Sequence, residues 1–290
     1  MFAIRRVLFG VDFAAGCQAL VPTVRRMIEY WHAEVTLLHV IEEKRWPGRK
    51  HDLERLMLRM RAIARQLGER DVRCRLERGN AAERLLEYAR ANQIHLVVVS
   101  GRGASGRSSS MIGPVADQLL TEAACCVWLD WGPAHSNRAR GMHARRVACA
   151  LAHNDSDEYV LHEADDISGN LDAELTVIQA VCAGPGKPLV LFRDRPVRDA
   201  AIAIAKQRIE ILRRRFFAPA EVAVETGSHA AVVRRVIQRQ AAGLLITGNL
   251  REAIVAAAPH CPVLRVATPA AVAARAALEL PYAAVAGRSA

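Results

Sequence analysis

The chain has 290 residues, about twice the commonest domain size, which favours two domains over one. Hydrophobic residues make up 51% and charged residues 24%, ordinary globular proportions that exclude a disordered, fibrous or disulfide-stapled chain. No run of about 18 strongly apolar residues predicts a membrane span, and the N-terminus lacks the cleavage pattern of a signal peptide. A cytoplasmic protein that does not enter the membrane is expected.

The balance of charge is basic, with 40 Lys and Arg residues against 30 Asp and Glu residues and a net charge of +10. Residues 1–132 hold 20 of the 40 basic and 15 of the 30 acidic residues, so both parts of the chain carry the same excess. Nucleic-acid binding usually needs a concentrated stripe or patch of positive charge, so this even distribution does not favour it. A basic RNA-binding module or a protein-interaction scaffold without nucleotide remains an alternative.

The seven cysteines are irregularly spaced and form no Cys-x-x-Cys motif. Neither a zinc site nor a thioredoxin-like redox motif is therefore predicted, and no metal ligands are assigned. The vicinal pair Cys125-Cys126 stands in an apolar run, which is typical of buried free cysteines at the start of a strand.

Two copies of one unit account for most of the chain. Five short apolar segments recur in the same order in each half, and each is a candidate strand. The matched segments are 5–11 and 145–151, 33–40 and 173–180, 72–79 and 222–227, 94–100 and 243–247, and 125–129 and 261–265.

Between these segments lie stretches whose apolar residues recur three and four positions apart, the pattern of an amphipathic helix. Apolar strands that alternate with such helices predict a parallel sheet covered on both faces. The expected fold class is α/β, with two Rossmann-like five-stranded domains at 1–132 and 143–268, and an Ala-rich tail at 269–290. The predicted helices are 17–31, 49–68, 80–92, 198–216 and 229–240.

A ligand site is predicted beyond the carboxyl ends of the strands in the first half, where open parallel sheets bind their ligands. Asp12 directly follows the first strand and could accept hydrogen bonds from a ribose or a base. The glycine-rich loop 100–115 follows the fourth strand, and its backbone amides and the next helix N-terminus suit a phosphate.

The sequence resembles a tandem universal stress protein. The resemblance rests on Val-Leu-Phe-Gly-Val-Asp12-Phe, Leu-Leu-His39-Val40, the 100–115 loop and the closing Cys-x-Val strand, and it covers nearly all of 1–131 and, more weakly, 145–268. It implies the adenine nucleotide alpha hydrolase-like fold, and ATP-binding members carry Gly-x2-Gly-x9-Gly-Ser/Thr in this loop. The site residues that the resemblance implies are Val11, Asp12, Phe13, Val40, Ser100, Gly101, Arg102, Gly103, Gly113, Pro114 and Val115.

Two positions depart from the ATP-binding motif. Gly103 and Gly113 fit the second and third glycines, but Ser100 stands at the first glycine and Pro114 at the Ser/Thr position. Serine restricts positive φ, and proline removes a hydroxyl and a backbone N–H that would face phosphate. Losing two donors to charged oxygens predicts roughly a hundredfold or greater loss of affinity.

The second half has a more eroded site. Superposing the first strands places Ala152 at the position of Asp12, and Thr247-Gly248 leads almost directly into a helix without a glycine loop. The second copy is therefore predicted to be a structural partner that binds no nucleotide.

The sequence predicts a non-catalytic stress-response factor, capable at most of slow nucleotide hydrolysis, with ATP or another adenine nucleotide as the ligand of the first domain. The resemblance implies an intramolecular pseudo-dimer in which Val127, Trp128 and Leu129 meet Val263, Leu264 and Val266. A further homodimer and an unidentified protein partner are compatible with this organisation. The alternative from another class is an adenylyl-transfer or electron-transfer-flavoprotein type of enzyme, which would require a complete phosphate loop or an added catalytic domain.

Overall fold

The computed structural model describes residues 4–42, 50–68, 72–102, 112–131, 140–182, 194–214, 219–258 and 260–267. The predicted tail 269–290 and most of the segment between the predicted domains lie outside these ranges. The first half contains β1 (Arg6–Gly10), α1 (Ala15–Trp31), β2 (Glu34–Ile41), α2 (Lys50–Leu67), β3 (Val72–Arg78), α3 (Ala81–Ala91), β4 (Leu96–Ser100), α4 (Pro114–Glu122) and β5 (Cys126–Asp130).

The second half repeats this order after a short 3-10 helix at Gly141–His143. Its elements are β6 (Arg146–Leu151), α5 (Asp157–Asn170), β7 (Glu174–Val181), α6 (Arg195–Arg213), β8 (Ala220–Thr226), α7 (His229–Gln240), β9 (Leu244–Thr247), α8 (Arg251–Ala257) and β10 (Val263–Arg265). All ten predicted strands and all five predicted helices are present, with bounds that differ by a few residues.

The two copies begin their third helices in the same way. Gly79 and Gly227 have φ values of 132° and 141°, a conformation that side chains disfavour, and each ends a strand just before a capping residue. Asn80 Oδ1 accepts the Ala82 and Glu83 amides at the start of α3, and Ser228 Oγ accepts the Ala231 amide at the start of α7. The repeat therefore extends from the apolar pattern to the local hydrogen bonding.

All ten strands form one sheet in the order β3-β2-β1-β4-β5-β10-β9-β6-β7-β8. Neighbouring strands within each half run parallel, whereas β5 and β10 run antiparallel where the halves meet. The two halves consequently direct the carboxyl ends of their strands toward opposite edges of the sheet. The α/β fold with two five-stranded parallel units packed as a pseudo-dimer is confirmed.

The β5–β10 pairing corrects one residue of the predicted contact. Leu129 pairs with Val263 and Trp128 with Leu264, as expected, but Val127 pairs with Arg265 rather than Val266. The Val266 amide lies beyond the antiparallel pairing and donates to the Thr247 carbonyl at 2.8 Å. Since side chains alternate along a strand, an apolar pattern fixes the strand but not its register to a single residue.

Helices cover both faces of the sheet. Buried residues of α1, α2, α5 and α6 form one apolar cluster, and those of α3, α4, α7 and α8 form the other. Both clusters continue across the junction of the halves, with Trp128 and Leu264 in the first and Leu129 and Val263 in the second. No helix in the described ranges is long and apolar enough to cross a membrane.

Three polar contacts link the halves at the β5–β10 junction. The buried Arg265 donates to the Ala123 carbonyl at 2.9 Å, and Arg251 of α8 forms an ion pair with Asp117 of α4. Arg140 lies 3.4 Å from the Asp130 carboxylate, and both side chains are largely buried. Apolar packing and these contacts together hold the two units as one sheet.

Replacing Leu264 by alanine is expected to lower the free energy of unfolding by about 2–5 kcal/mol, because the side chain is 1% exposed and lies opposite Trp128. Guanidinium unfolding followed by circular dichroism measures this change. Leu58→Ala is the matched control, since Leu58 is 61% exposed and its loss should cost no more than about 0.5 kcal/mol. Equal losses for the two variants would contradict a shared core across the junction.

Candidate functional site

The carboxyl edge of the first half brings most of the predicted site residues together. β1 lies between β2 and β4, so the strand order reverses at β1, the position where open α/β sheets bind ligands. Val11, Asp12 and Phe13 follow β1, while Val40 lies near the end of β2. Ser100, Gly101 and Arg102 follow the same edge at β4, and Gly113, Pro114 and Val115 begin α4.

The turn after β1 is held by main-chain and side-chain hydrogen bonds. The Val11 amide donates to the Leu38 carbonyl at 2.9 Å, and the Ala14 amide donates to Asp12 Oδ1 at 2.9 Å. Phe13 has a φ of 60°, which is uncommon for an aromatic residue. The half-buried Asp12 carboxylate is thereby fixed at the edge of the sheet and shapes the turn itself.

An aromatic wall stands beside Asp12. The Phe13 and His39 rings lie 4.6 Å apart, and the Arg59 guanidinium lies over the Phe13 ring at 4.1 Å from its centre. His39 Nδ1 is 2.6 Å from the Val11 carbonyl oxygen, which can only accept, so Nδ1 carries the proton. Burial lowers the pKa of His39 from its usual value, and the charge of Arg59 lowers it further, although the hydrogen bond to the Val11 carbonyl opposes this change; the neutral ring is therefore favoured at pH 7.

The turn after β4 is closely packed. The Ser100 hydroxyl donates to the Arg102 carbonyl at 2.8 Å, and a Cβ on Gly16 would lie 2.5 Å from this hydroxyl oxygen. A Cβ on Gly101 would lie 2.4 Å from the Trp131 ring, so Gly101 permits close packing rather than a left-handed turn. Gly103 and the rest of the loop to residue 111 lie outside the described residues.

Two of the predicted loop amides are already occupied. The Gly101 amide donates to the Asp130 carbonyl at 2.8 Å, and the Gly113 amide donates to the Gly101 carbonyl at 2.8 Å. Pro114 is the first helical residue and has no amide proton. Since Asp117 closes the first helical hydrogen bond on Gly113, the amides of Val115 and Ala116 have no acceptor within α4 and point to the edge.

The corresponding edge of the second half is filled by an ion pair. Asp157 is 2% exposed and accepts the Ala152 amide at 2.8 Å and the Asn154 amide at 3.1 Å. Arg208 of α6 donates to the same carboxylate at 2.8 Å and to the Asn154 carbonyl at 3.0 Å. His153 has a φ of 62°, matching Phe13, so the predicted equivalence of Ala152 and Asp12 is confirmed. The two edges thus differ, because Arg208 bonds to a carboxylate in the second half and Arg59 lies over an aromatic ring in the first.

Sequence reasoning missed Arg59 and Arg208 as residues of these two edges. Each stands on a helix about 50 residues after the turn it contacts, among several arginines of the same helix. The helical period predicts on which face of the helix such an arginine lies. It does not predict which turn at the sheet edge its side chain contacts. His39 belongs to the quoted motif, but the sequence does not indicate its hydrogen bond to the Val11 carbonyl.

The cysteines of the described ranges are free thiols, with Cys126 buried and Cys125 half-buried. Burial raises the pKa of Cys125 to about 11 and that of Cys17 to about 11. No group of three His, Cys, Asp or Glu side chains in the described part of the chain is arranged to hold a metal ion.

The strand order and the repeated helices define a doubled α/β protein. Residues 3–129 match the Universal stress protein family. The predicted resemblance to a tandem universal stress protein is confirmed, because the first copy matches the family and the second half repeats the order of its strands.

One similar solved structure is a functionally unknown protein from Pseudomonas aeruginosa PAO1, with 15% identity and a TM-score of 0.67 over 96% of this chain and 97% of that chain. Another is a universal stress protein from Archaeoglobus fulgidus DSM 4304, with 12% identity and a TM-score of 0.63 over 92% of this chain and 97% of that chain. At these identities the likeness establishes the fold alone. Among curated proteins, none is significantly similar in sequence.

Adding a methyl group at Gly16 is expected to destabilise the chain, because the new Cβ would lie 2.5 Å from Ser100 Oγ. In the double variant Gly16→Ala/Ser100→Gly that hydroxyl is absent, so part of the lost stability should return. The expected interaction energy is about 0.5–3 kcal/mol, from the unfolding free energies of the two single variants and the double variant. Strictly additive effects would show that the two residues are not in contact.

Slow alkylation of Cys125 is expected in the folded protein. A pKa raised from 9.0 to about 11 leaves about a hundredfold less thiolate at pH 8 than an unperturbed cysteine has, and thiolate is the reactive form. Treatment with iodoacetamide followed by mass spectrometry should label the exposed Cys182 first, and Cys125 only slowly. The guanidinium-unfolded chain is the control, and equal labelling of Cys125 in both states would contradict the raised pKa.

Proposed function

We propose that the protein is a non-catalytic stress-response factor whose first domain binds an adenine nucleotide at the carboxyl edge of β1 and β4. The observation that carries the proposal is that a fixed carboxylate, Asp12, and the start of α4, where the amides of Val115 and Ala116 have no acceptor within the helix, both follow strand ends at the edge where the strand order reverses. A carboxylate suits the hydroxyls of a ribose, and helix amides suit a phosphate.

The base of the nucleotide would lie against Val11 and Val40. Val40 is half-buried near the end of β2, and Val11, which directly precedes Asp12, is 4% exposed. The neutral His39 ring and Phe13 close this side of the site. Apolar walls with a few fixed polar groups are usual for small-ligand sites.

The phosphate side of the site is weaker than the full motif would provide. The amides of Gly101 and Gly113 are used within the protein, and Pro114 has none. Val115, Ala116 and the Arg102 side chain remain as phosphate contacts among the described residues. We therefore expect weak binding, about a hundredfold below a site that retains both donors.

The polar side chains of this edge support a binding role rather than a catalytic one. Asp12 accepts the Ala14 amide, and the Ser100 hydroxyl donates to the Arg102 carbonyl instead of to a base. A nucleophile needs an adjacent base to be activated, and neither group has that arrangement. The second domain, with Arg208 and Asp157 filling its edge, would serve as the structural partner.

Replacing Asp12 by alanine should abolish measurable ATP binding by the full chain in isothermal titration calorimetry. Asp12→Asn separates binding from folding, because its amide oxygen can still accept the Ala14 amide while the negative charge is lost. Asp166→Ala is the matched control on the surface of α5, and its affinity should equal that of the unaltered chain. Absence of ATP binding by the unaltered chain at millimolar concentration would overturn the proposal.

Restoring the motif should strengthen ATP binding. Pro114→Ser returns an amide and a hydroxyl at the start of α4, and the expected gain is about tenfold or more in affinity. The same titration measures it, with Pro196→Ser as the control, since Pro196 holds a comparable place at the start of α6. An unchanged affinity for Pro114→Ser would place the phosphates elsewhere.

A further inference from the structure

A second cleft opens at the opposite, amino-terminal edge of the first half. It has a volume of about 350 Å³, at the small end of the range for small-molecule sites, and lies between α3 and the starts of β1, β2 and β3. Its lining residues are Arg5, Arg6, Glu34, Thr36, Arg73, Tyr88, Asn92 and Ile94. This edge is remote from the proposed nucleotide site, and nothing in the inference below depends on that site.

The cleft has a net positive lining. Three arginines face one carboxylate, Glu34, which gives a net charge of +2 among the lining side chains. Arg6 donates to the Asn92 carbonyl at 2.8 Å and to Gln93 at 3.1 Å, which offsets the negative end of α3. Arg73 makes only a long, exposed contact with Glu34 at 3.5 Å, an ion pair that contributes little to stability.

The Thr36 side chain is among the residues that line the cleft. Thr36 is 8% exposed, and its hydroxyl forms no hydrogen bond with any residue of the described ranges. Tyr88 and the buried Ile94 provide an apolar wall beside it. The Thr36 hydroxyl can therefore donate a hydrogen bond to a ligand held in the cleft.

The second half provides an internal comparison at the same positions. Arg146, Glu174 and Thr176 correspond to Arg6, Glu34 and Thr36, because the two halves pair their strands in the same register. By the same register, Glu221 corresponds to Arg73.

This second-half edge is neutral and internally satisfied. Gln240, at the position of Asn92, donates to both carboxylate oxygens of Glu221 at 2.8 Å. Arg146 donates to Glu174 at 3.1 Å. Counting from the capping residues, Val236 takes the place of Tyr88 and is buried. In the second half Arg145 and Arg146 are balanced by Glu174 and Glu221. The lining of the first-half cleft has an excess of positive charge.

We propose that the cleft of the first half binds a small phosphate ester of an aromatic alcohol. The phosphate would contact Arg5 and Arg73, with Arg6 adding charge behind them, since guanidinium groups hold phosphate oxygens in bidentate pairs. The ring would lie on Tyr88 and Ile94, and Thr36 would donate to the ester or phosphate oxygen.

Phenyl phosphate is the probe, because it carries one ring and one phosphate and lacks the ribose and base of the nucleotide site. Calorimetric titration of the full chain should show binding that is tighter than that of inorganic phosphate and weakens with salt. Arg73→Glu, which introduces the charge found at Glu221, should lower the affinity about tenfold or more. Arg5→Ser, at an exposed position, should lower it in the same direction without loss of folding.

Two controls separate a built site from general attraction to a basic protein. Arg25→Glu makes the same charge change at an exposed position on α1 and should leave the affinity nearly unchanged. Asp12→Ala should also leave phenyl phosphate binding intact, whichever way it affects ATP, so the two proposals fail separately. Equal losses for Arg25→Glu and Arg73→Glu, or no binding at millimolar phenyl phosphate, would overturn the proposal.

Tyr88→Val tests the ring contact. It introduces the residue found at Val236 and should reduce phenyl phosphate affinity to that of inorganic phosphate, while leaving inorganic phosphate binding unchanged. Thermal unfolding by circular dichroism checks that this variant remains folded. A preserved preference for phenyl phosphate in the folded variant would contradict the assignment of the ring to Tyr88.

Discussion

The antiparallel pairing of β5 with β10 is the contact on which the rest of the structure depends. It joins two parallel units that would each expose an apolar edge strand, and exposed edges of this kind promote aggregation. Trp128 and Leu264 are buried there from both halves, so the core on each face continues through the junction. Because one chain supplies both partners, this association does not depend on protein concentration.

The same pairing also separates the chemistry of the two halves. Because β5 and β10 pair antiparallel, the carboxyl ends of the strands in the two halves lie at opposite edges of the sheet. The carboxyl edge of each half therefore lies beside the amino-terminal edge of the other half. In the first half the Asp12 carboxylate accepts the Ala14 amide, while in the second the Asp157 carboxylate is paired with Arg208. A buried carboxylate with three hydrogen-bond donors is a stabilising device, and its presence removes the space for a ligand.

Apolar periodicity and the repeat were sufficient to predict the strands and five of the helices, and the resemblance to a known family implied the meeting of β5 with β10. The sequence was less informative about the site. The spacing of Gly103 and Gly113 matches a phosphate loop, yet the Gly101 and Gly113 amides bond to carbonyls within the protein, a detail that no spacing contains. Some contacts join segments that are far apart in the sequence, and they form only in the folded chain. Examples are the Arg59 guanidinium over the Phe13 ring and the hydrogen bond from Arg265 to the Ala123 carbonyl. The one-residue error at Val266 has the same origin.

Covalent linkage of the two units has a further consequence. In a symmetric pair of identical chains every substitution occurs twice, at both related positions. Here Arg73 and Glu221 occupy related positions with opposite charge, and Tyr88 and Val236 differ in the same way. In a single chain one copy of the unit can therefore keep a structural role while the other copy changes in sequence. Each edge of the sheet can then carry side chains that differ from those at the related edge.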